Sequence, residues 1–411
     1  MGMFDTATAA ALNTRFSKSY ENLAFRLNAF LGLANHGDSS KLGGDSIVVR
    51  CKTGYSPGAG ARYADAYANV GQTSRERFTI TPSKLYALET VDHSGALFSQ
   101  GDMNAVVNTM GDAQDSCAES AAVQLEQAMF SDGFGTLATI KSNTGSGPYV
   151  LTLTNPTDAF KFQNAQVLSS KVTPATAGLD TGTATVTAFD GIAGTVTVTA
   201  AGGWTPTNTH VLGLQVTFDA TGALTTFPGL GAWLTNDATT LAAPFYGVTR
   251  SKNPQGLAGH VFSGVATPID AINAVINSIS NFGPKASPSV VFVNSSTHED
   301  LMRQLDNRAV ILSQSKAQDV DVLYDGVSFA GPNGKKLTVH VASACSPNDI
   351  WVIDPDTWYV QGPGNKFIHP GQPDGTPFVP LIATDQTLVK FRAEGFVYCD
   401  APGYNGRYIR L

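Results

Sequence analysis

A long helix is predicted by residues 102–133, which read DMNAVVNTMGDAQDSCAESAAVQLEQAMFSDG. Asp102 suits the N-cap position of this helix, and Gly133 marks its end. Seven side chains recur near one face at helical spacing: Met103, Val106, Met110, Ala113, Cys117, Leu125 and Met129. Carboxylates mark another side: Asp112, Asp115, Glu119 and Glu126. The stretch therefore predicts a spine helix with one acidic surface that faces solvent or cargo.

Two β-like segments precede this helix. Residues Ser46 to Cys51 and Arg77 to Val91 alternate between apolar and other side chains, which predicts two long strands. The segment that joins them, residues 54–74, contains few core-forming groups and many turn formers, namely Gly54, Pro57, Gly58, Gly60 and Gly71. Because such a segment cannot bury itself, we predict a long projecting loop that is ordered by a partner.

The N-terminal region has the spacing of an amphipathic helix. From Asp5 to Leu31 the apolar positions recur at intervals of three and four, and Gly32 ends the pattern. The polar positions include the basic residues Arg15, Lys18 and Arg26. A face turned toward an anionic surface and an ordinary solvated face both fit this pattern, so the alternatives stay open here.

A change in composition follows the spine helix. From Gly133 to about Leu234 the chain is rich in Thr, Ala and Gly and poor in charge. Short alternating strands are predicted at Tyr149–Thr154, Ala165–Ser169, Thr183–Phe189 and Thr195–Thr199. Asp190-Gly191 and Gly194 connect the last two as a hairpin, because these residues tolerate the positive φ of tight turns. We predict an inserted all-β domain.

Alternating α and β patterns return after Phe245. Thr267 and Pro268 open a predicted helix whose apolar stripe consists of Ile269, Ile272, Val275, Ile276 and Ile279. A buried strand, Val290–Val293, is followed by a capping box of Ser296 and Glu299 and a short helix through Leu305. A hairpin is predicted from the strands Val322–Phe329 and Leu337–Val341, which Asn333-Gly334 joins. A further strand is predicted at Ile350–Ile353. Near the end, a half-buried strand is predicted whose apolar side consists of Val389, Phe391 and Ala393.

Composition narrows the classes of function. The 411 residues carry a net charge of −7, which argues against a surface that binds nucleic acid by neutralising many phosphates. A nucleic acid partner would therefore be enclosed by the protein without being bound tightly. The cysteines are Cys51, Cys117, Cys345 and Cys399, and they form no C-x-x-C pair. The first residues lack the pattern of a signal peptide, and no apolar run approaches the ~20 residues of a membrane helix. We expect a protein made in a cytoplasm, without a membrane partner.

No motif of catalysis or cofactor binding is evident. His298-Glu299-Asp300 has no second histidine at the spacing of a helical metal site, and the other histidines are scattered. The chain has no G-x-S-x-G motif, and its Gly-x-Gly sequences at Gly58 and Gly362 lack phosphate-binding spacing. We therefore predict no catalytic, cofactor-binding or metal-binding residues.

The order of these parts resembles the major capsid proteins of tailed bacteriophages, which have the Hong Kong 97-type fold. Three local segments are also similar to segments of that family. Gln127 to Ala138 resembles the end of the spine helix, and Pro244 to Val248 resembles the segment that re-enters the fold after an insertion. Val291 to Asn294 resembles the strand of the axial domain. The resemblance implies an α+β fold with an N-terminal arm (1–45), an extended two-stranded loop (46–91), a peripheral domain with the spine helix (92–135), an inserted β-domain (136–235), a return to the peripheral domain (236–266), an axial α/β domain (267–371) and C-terminal strands of the peripheral domain (372–411).

The same resemblance implies a function. The chain would self-assemble into hexamers and pentamers of an icosahedral shell around double-stranded DNA, with separate scaffolding, portal and decoration proteins as further partners and no cofactor. Contacts between subunits are expected at residues of the arm and loop, namely Arg15, Phe16, Arg26, Tyr55, Arg62, Tyr63, Tyr67, Arg75 and Arg77. Lys52 and Lys84 flank the loop but match no cross-linking motif, so we expect subunits joined without covalent bonds.

Three other classes remain as alternatives. An encapsulin-like nanocompartment would share the fold and hold cargo enzymes in place of a genome. A secreted β-rich adhesin or carbohydrate-binding protein would suit the Thr-rich strands between Tyr149 and Thr217, but the long helix and the N-terminus disfavour it. An enzyme would need a convergent set of nucleophile, base and oxyanion donor, which the sequence does not show.

Overall fold

The structure of the chain is a computed structural model. It describes residues 29–36, 45–54, 56–92, 103–174, 178–215, 218, 224–283, 285–308, 328–330, 336–362, 367–370, 378–381 and 386–410. The predicted helix from Asp5 to Leu31 lies mostly outside these residues, and only its last turn is described, within the helix Ala29–Leu33.

The described chain contains both α-helices and β-strands. The α-helices span Ala29–Leu33, Tyr63–Ala68, Met103–Phe130, Leu230–Trp233, Ala238–Ala242, Pro254–Ala258, Pro268–Phe282 and Ser295–Arg308. The strands are β1 (Asn35–His36), β2 (Ile47–Lys52), β3 (Arg75–Ile80), β4 (Ser83–Asp92), β5 (Thr136–Thr144), β6 (Tyr149–Leu153), β7 (Val167–Lys171), β8 (Thr183–Asp190), β9 (Thr195–Ala201), β10 (Val211–Leu214), β11 (His260–Gly264), β12 (Val290–Val293), β13 (Ser328–Ala330), β14 (Lys336–Val341), β15 (Asp349–Ile353), β16 (Trp358–Gln361), β17 (Ile368–Pro370), β18 (Phe378–Leu381), β19 (Gln386–Cys399) and β20 (Gly406–Arg410).

The first sheet is built around the long strand β19. Strand β4 pairs with it antiparallel on one side, while β16, β17 and β18 pair with successive segments of it. The predicted spine helix is confirmed as Met103–Phe130, and Ala113, Cys117 and Ala121 pack with Val389 and Phe391 of β19. Burial of the apolar face of β19 against the helix explains its alternating pattern.

A second sheet has the order β11-β20-β15-β12-β14-β13. The helix Pro268–Phe282 packs on it, and every residue of its predicted apolar stripe is buried, from Ile269 to Ile279. Thr267 caps this helix by accepting a hydrogen bond from the backbone N–H of Asp270. The predicted strands at Val290–Val293 and Ile350–Ile353 are both confirmed.

The segment after the spine helix forms a closed six-stranded barrel with the order β10-β5-β6-β9-β8-β7. Its core is separate from the others and contains buried residues from Ala138 to Leu212. The predicted hairpin is confirmed, because Asp190 Oδ1 accepts hydrogen bonds from the N–H groups of Ile192 and Ala193, and Gly194 has a φ of 66°. Strands β5 and β10 were not predicted, since their pairing joins residues far apart in the chain.

One predicted strand is wrong. The segment Arg77 to Val91 divides into β3 and β4 around Thr81-Pro82, because a proline has no N–H to donate to a strand ladder. Only β3 pairs with β2, as a two-stranded ribbon, whereas β4 pairs with β19 in the first sheet. The two-stranded ribbon therefore ends at Ile80, and the segment 83–91 belongs to a different sheet.

The assignment of the C-terminal segments also changes. Strand β20 lies between β11 and β15, so the end of the chain belongs to the second sheet and not to the sheet of the spine helix. Strands β16 and β17, which fall in the predicted axial segment, pair with β19 in the first sheet. Alternation of apolar residues reports that a strand is half buried, but it does not report which sheet the strand joins.

Two details of capping and charge are also corrected. The helix Ser295–Arg308 is capped by Asn294, whose Oδ1 accepts from the N–H of Ser296 at 3.1 Å, so the capping box of Ser296 and Glu299 is wrong. Glu299 pairs with Arg303 instead.

Glu126 does not belong to the exposed acidic side of the spine helix, because it is buried and receives a hydrogen bond from Ser343. Strands β13 and β14 pair antiparallel, while Val322 and Asn333-Gly334 lie outside the described residues.

Candidate subunit interface

The ribbon of β2 and β3 is anchored at its base by aromatic packing. Phe78 and Ile80 are fully buried. The ring of Phe78 meets Trp233 edge to face at 5.2 Å and Phe245 at 6.3 Å between centroids. The backbone N–H of Thr79 donates to the carbonyl of Tyr246. These contacts fix the direction in which the ribbon leaves the body of the protein.

Polar contacts hold the ribbon further out. Lys252 Nζ lies 2.6 Å from Glu76 Oε1, and Asn253 Nδ2 donates to the carbonyl of Thr53 at 3.0 Å. Thr53 and Ser74 close the ribbon through a backbone hydrogen bond and a bond between their hydroxyls at 2.8 Å. Beyond this pair the chain has left the protein core.

The ribbon tip, defined as residues 53–74, contributes nothing to the core. Of the described residues from 52 to 77, none is buried. Tyr63 is 83% exposed, Tyr67 67% and Val70 71%. Large apolar side chains exposed together on one projection are typical of a site of interaction with another molecule.

The tip has a defined internal structure. A helix, Tyr63–Ala68, lies within it, and the rings of Tyr63 and Tyr67 stack with centroids 5.9 Å apart. Ser56 Oγ donates to the carbonyl of Gly71 at 2.9 Å. This helix was not predicted, although Tyr63 and Tyr67 at i and i+4 are the signal that would have indicated it.

The predicted contact residues fall into two groups. Arg62, Tyr63, Tyr67, Arg75 and Arg77 are exposed on the ribbon, and the structure brings them together on one projection. Residues 50–77 contain five basic residues (Arg50, Lys52, Arg62, Arg75, Arg77) and two acidic ones (Asp65, Glu76), a net charge of +3 in a chain whose net charge is −7. The other predicted contacts, Arg15, Phe16, Arg26 and Tyr55, lie outside the described residues. The role of both groups in contacts stays a prediction.

The cysteine side chains are buried, and burial limits their reactivity. All four cysteines are free and buried, and burial, reinforced by Asp400 and Glu89 respectively, raises the pKa values of Cys51 and Cys117 to about 11. These thiols are therefore protonated at neutral pH and poor nucleophiles. Among the described residues, no three His, Cys, Asp or Glu side chains come together as a metal site. None of the described helices combines the length and hydropathy that crossing a lipid bilayer requires.

Comparison with solved structures identifies the fold. The chain is similar to a chain of the capsid asymmetric unit of cyanophage A-1(L), with a TM-score of 0.51 and 12% sequence identity over 93% of this chain and 92% of that one. The chain has a phage capsid fold. The capsid fold accounts for the mixture of sheets and helices, and it confirms the α+β class and the resemblance to phage capsid proteins at the level of fold.

Two further structures are similar over most of the capsid fold. One is from the capsid of a native GTA particle, with a TM-score of 0.46, 10% identity and coverage of 93% of this chain and 89% of that one. The other is from Mycobacterium phage Bobi, with a TM-score of 0.41, 8% identity and coverage of 93% and 90%. By sequence, no family model and no curated protein matches the chain.

Proposed function

We propose that this chain is the major capsid protein of a tailed phage, which assembles with itself into hexamers and pentamers of an icosahedral shell around double-stranded DNA. The observation that carries the proposal is the ribbon: an anchored, structured projection whose tip exposes stacked tyrosines to solvent. Burial of these side chains on a neighbouring subunit would stabilise a contact between subunits. A contact repeated from subunit to subunit closes into rings when the rotation permits.

The division of labour within the proposed capsid protein follows the strand pairing. The arm is residues 1–45, and the ribbon, residues 46–80, is the extended loop that lies across a neighbour. The spine helix with the sheet of β19 is the peripheral domain. The sheet of β20 with the helix Pro268–Phe282 is the axial domain at the centre of a capsomer. The barrel is an insertion that decorates or braces the shell.

The proposed partners follow from charge and from the fold. With a net charge of −7, the chain encloses its DNA without sequence-specific binding. Separate scaffolding, portal and decoration proteins complete the particle. Assembly takes place in the cytoplasm of the host bacterium, and the mature location is the virion.

Electron microscopy of the purified protein tests the proposal directly. The wild-type chain is expected to form closed shells, and a chain that stays monomeric across salt and protein concentration would contradict shell formation. A matched variant replaces residues 54–73 with Asn-Gly, because Thr53 and Ser74 are already hydrogen-bonded and a two-residue turn suits their separation. This variant should fold as a monomer without forming shells. Shells from it would rule out the ribbon as the essential contact.

The contents of the particles distinguish the two uses of this fold. Shells isolated from infected cells should yield double-stranded DNA on extraction. Shells that contain protein cargo and no DNA would instead identify an encapsulin-like compartment. Sequencing of the extracted DNA would show whether it is a phage genome.

A further inference from the structure

A buried arginine lies just after the barrel returns to the body of the protein. Arg250 is fully buried, and one of its terminal nitrogens, Nη1, donates to the carbonyls of Ala232 at 2.7 Å and Trp233 at 3.2 Å. Its guanidinium lies 4.1 Å from the centroid of the Phe245 ring. Desolvation lowers the pKa of Arg250 to about 10, so the group still carries its charge at neutral pH.

The other edge of this guanidinium has no acceptor. Arg250 Nε and Nη2 are buried and make no hydrogen bond within the structure. A buried donor without a partner costs free energy, and the cost is larger for a charged group. An acceptor supplied from outside the chain would remove this cost.

Arg407 of the same chain shows what the corresponding Nε–Nη2 edge of an arginine binds. Arg407 Nε lies 3.1 Å from Asp349 Oδ1, and its Nη2 lies 2.8 Å from Asp349 Oδ2. The Nε–Nη2 edge thus presents two parallel N–H groups that match the spacing of two oxygens on one carboxylate or phosphate. In Arg250 this edge, here called the Arg250 fork, is the part left without an acceptor.

A pocket adjoins Arg250. It has a volume of about 500 Å³, and its wall includes Lys84, whose Nζ lies 3.3 Å from Glu394 Oε1. The lining also supplies hydroxyl groups from Thr81, Ser83, Thr225 and Thr240, and no carboxylate is among the described residues that line it. The Oγ1 of Thr225 is itself buried without a hydrogen-bond partner. A buried cation with unused donors and an unpartnered hydroxyl make the lining suited to an anion.

We propose that this pocket is an oxyanion site, in which the Arg250 fork and the hydroxyl of Thr225 bind a carboxylate or a phosphate. The bound oxygens accept hydrogen bonds from the two N–H groups of the fork, and the negative charge neutralises the buried guanidinium. The anion comes either from solution or from a side chain of a second copy of the chain. The inference goes beyond the proposed function, because binding from solution does not require a shell.

Thermal unfolding of the free subunit tests the first source. The Tm of the wild-type chain should rise saturably with sodium phosphate, by about 2 °C at tenfold the half-saturating concentration, relative to sodium chloride at equal ionic strength. Arg250→Lys keeps the charge but lacks the fork, and it should weaken the apparent affinity for phosphate at least tenfold. Thr225→Val removes only the hydroxyl and should also weaken it. Arg303→Lys, at an exposed site on another helix, should respond as the wild type does.

A high-resolution map of the assembled particle tests the second source. A carboxylate of a second copy within hydrogen-bond distance of the Arg250 fork would support the proposed site, with that side chain as its ligand. This holds even if phosphate has no effect on the free subunits. An isolated density at the fork would support a small anion. The proposal is overturned if phosphate has no specific effect in solution and the fork is empty in the particle, or if phosphate has no effect and no particle forms. A phosphate response that Arg250→Lys and Thr225→Val both retain in full would overturn it as well.

Discussion

Tyr63 and Tyr67 stack on each other one helical turn apart, and both rings are largely exposed on the ribbon tip. The pair is thus organised before any partner binds, which would lower the entropy lost in the proposed contact with a neighbouring subunit. Two rigid aromatic side chains on one surface are typical of the residues that dominate binding energies at interfaces.

Replacing both tyrosines separates assembly from folding. In Tyr63→Ala/Tyr67→Ala the free energy of unfolding of the subunit should change by less than about 0.5 kcal/mol, because neither ring is part of the core. The protein concentration needed for shell formation should rise at least about tenfold, since each contact loses about 2 kcal/mol or more. Light scattering during assembly measures this change. Ile192→Ala, at the 94% exposed tip of a barrel hairpin, is the control. Normal assembly of the double variant would exclude the tyrosine pair as a contact.

The ribbon base should behave in the opposite way. Phe78→Ala leaves a cavity between Trp233 and Phe245 and should destabilise the subunit by about 3–5 kcal/mol in urea unfolding. Thr79→Ala, on the exposed side of the same strand, should cost less than about 0.5 kcal/mol, since only its backbone contacts the body of the protein. Equal effects of the two variants would contradict the packing described for the base.

The carboxyl group of Glu126 introduces a dependence of stability on pH. Burial raises its pKa in the folded chain, although hydrogen bonds from the backbone of Ala344 and from Ser343 oppose this. The folded chain therefore holds this proton to higher pH than the unfolded chain, and the free energy of unfolding falls as pH rises through the raised pKa. Glu126→Gln should be more stable than the wild type at pH 7, and the difference should vanish as the pH falls below the usual pKa of a glutamate, about 4.3. Thermal unfolding across this pH range measures the difference. Glu119→Gln, at an exposed site on the same helix, should have little effect, and a pH-independent difference at Glu126 would refute the account.

A hydrogen-bond network around Asn405 joins the two sheets. Its Oδ1 accepts from the N–H of Asp354 and from Trp358 Nε1, and its Nδ2 donates to Thr357 Oγ1. Asn405→Ala removes the acceptor of two buried donors, the N–H of Asp354 and Trp358 Nε1, and should cost about 2–4 kcal/mol in urea unfolding. Asn69→Ala, on the exposed ribbon tip, removes one hydrogen bond to a backbone carbonyl and should cost less than about 0.5 kcal/mol. A small effect at Asn405 would show that the sheets are held together elsewhere.

The barrel should fold alone. Its hydrophobic cluster draws on residues from 138 to 212, and its six strands close on themselves without an open edge. A fragment of residues 134–215 should therefore unfold cooperatively in circular dichroism and bury Trp204 as the whole chain does. Fluorescence of a solvent-exposed tryptophan in the fragment would mean that the barrel depends on the rest of the chain.

The parts of the fold that could be predicted are those whose determinants lie close together in the sequence. The helix Pro268–Phe282 carries its cap and its apolar stripe within fifteen residues, and both were correct. The strand pairings were harder, because β5 meets β10 and β11 meets β20 only after long intervening segments. The break at Pro82 was missed because the alternation of apolar residues suggested one continuous strand. The cap at Asn294 was missed because the nearby Ser296 also suits a capping position.

The exposure of the candidate interface was predictable for a related reason. A segment with many glycines and few apolar residues indicates that it lies outside the core, and the exposure of Arg62, Tyr63 and Tyr67 agrees with this. The helix at the tip and the anchoring of the ribbon by Phe78 depend on tertiary contacts that the pattern does not contain. Arg250 gave no signal at all, because a charged residue in a loop looks solvated until its surroundings are known.

The two ends of the barrel have a consequence for how such chains change over time. Gly213 of β10 is the partner of Thr136 of β5, so the segment leaves the host fold and rejoins it at nearly the same place. If the chain forms a shell as proposed, the barrel can vary, or be replaced by another domain, without moving the residues on either side of it. The distance between neighbouring subunits would then stay the same.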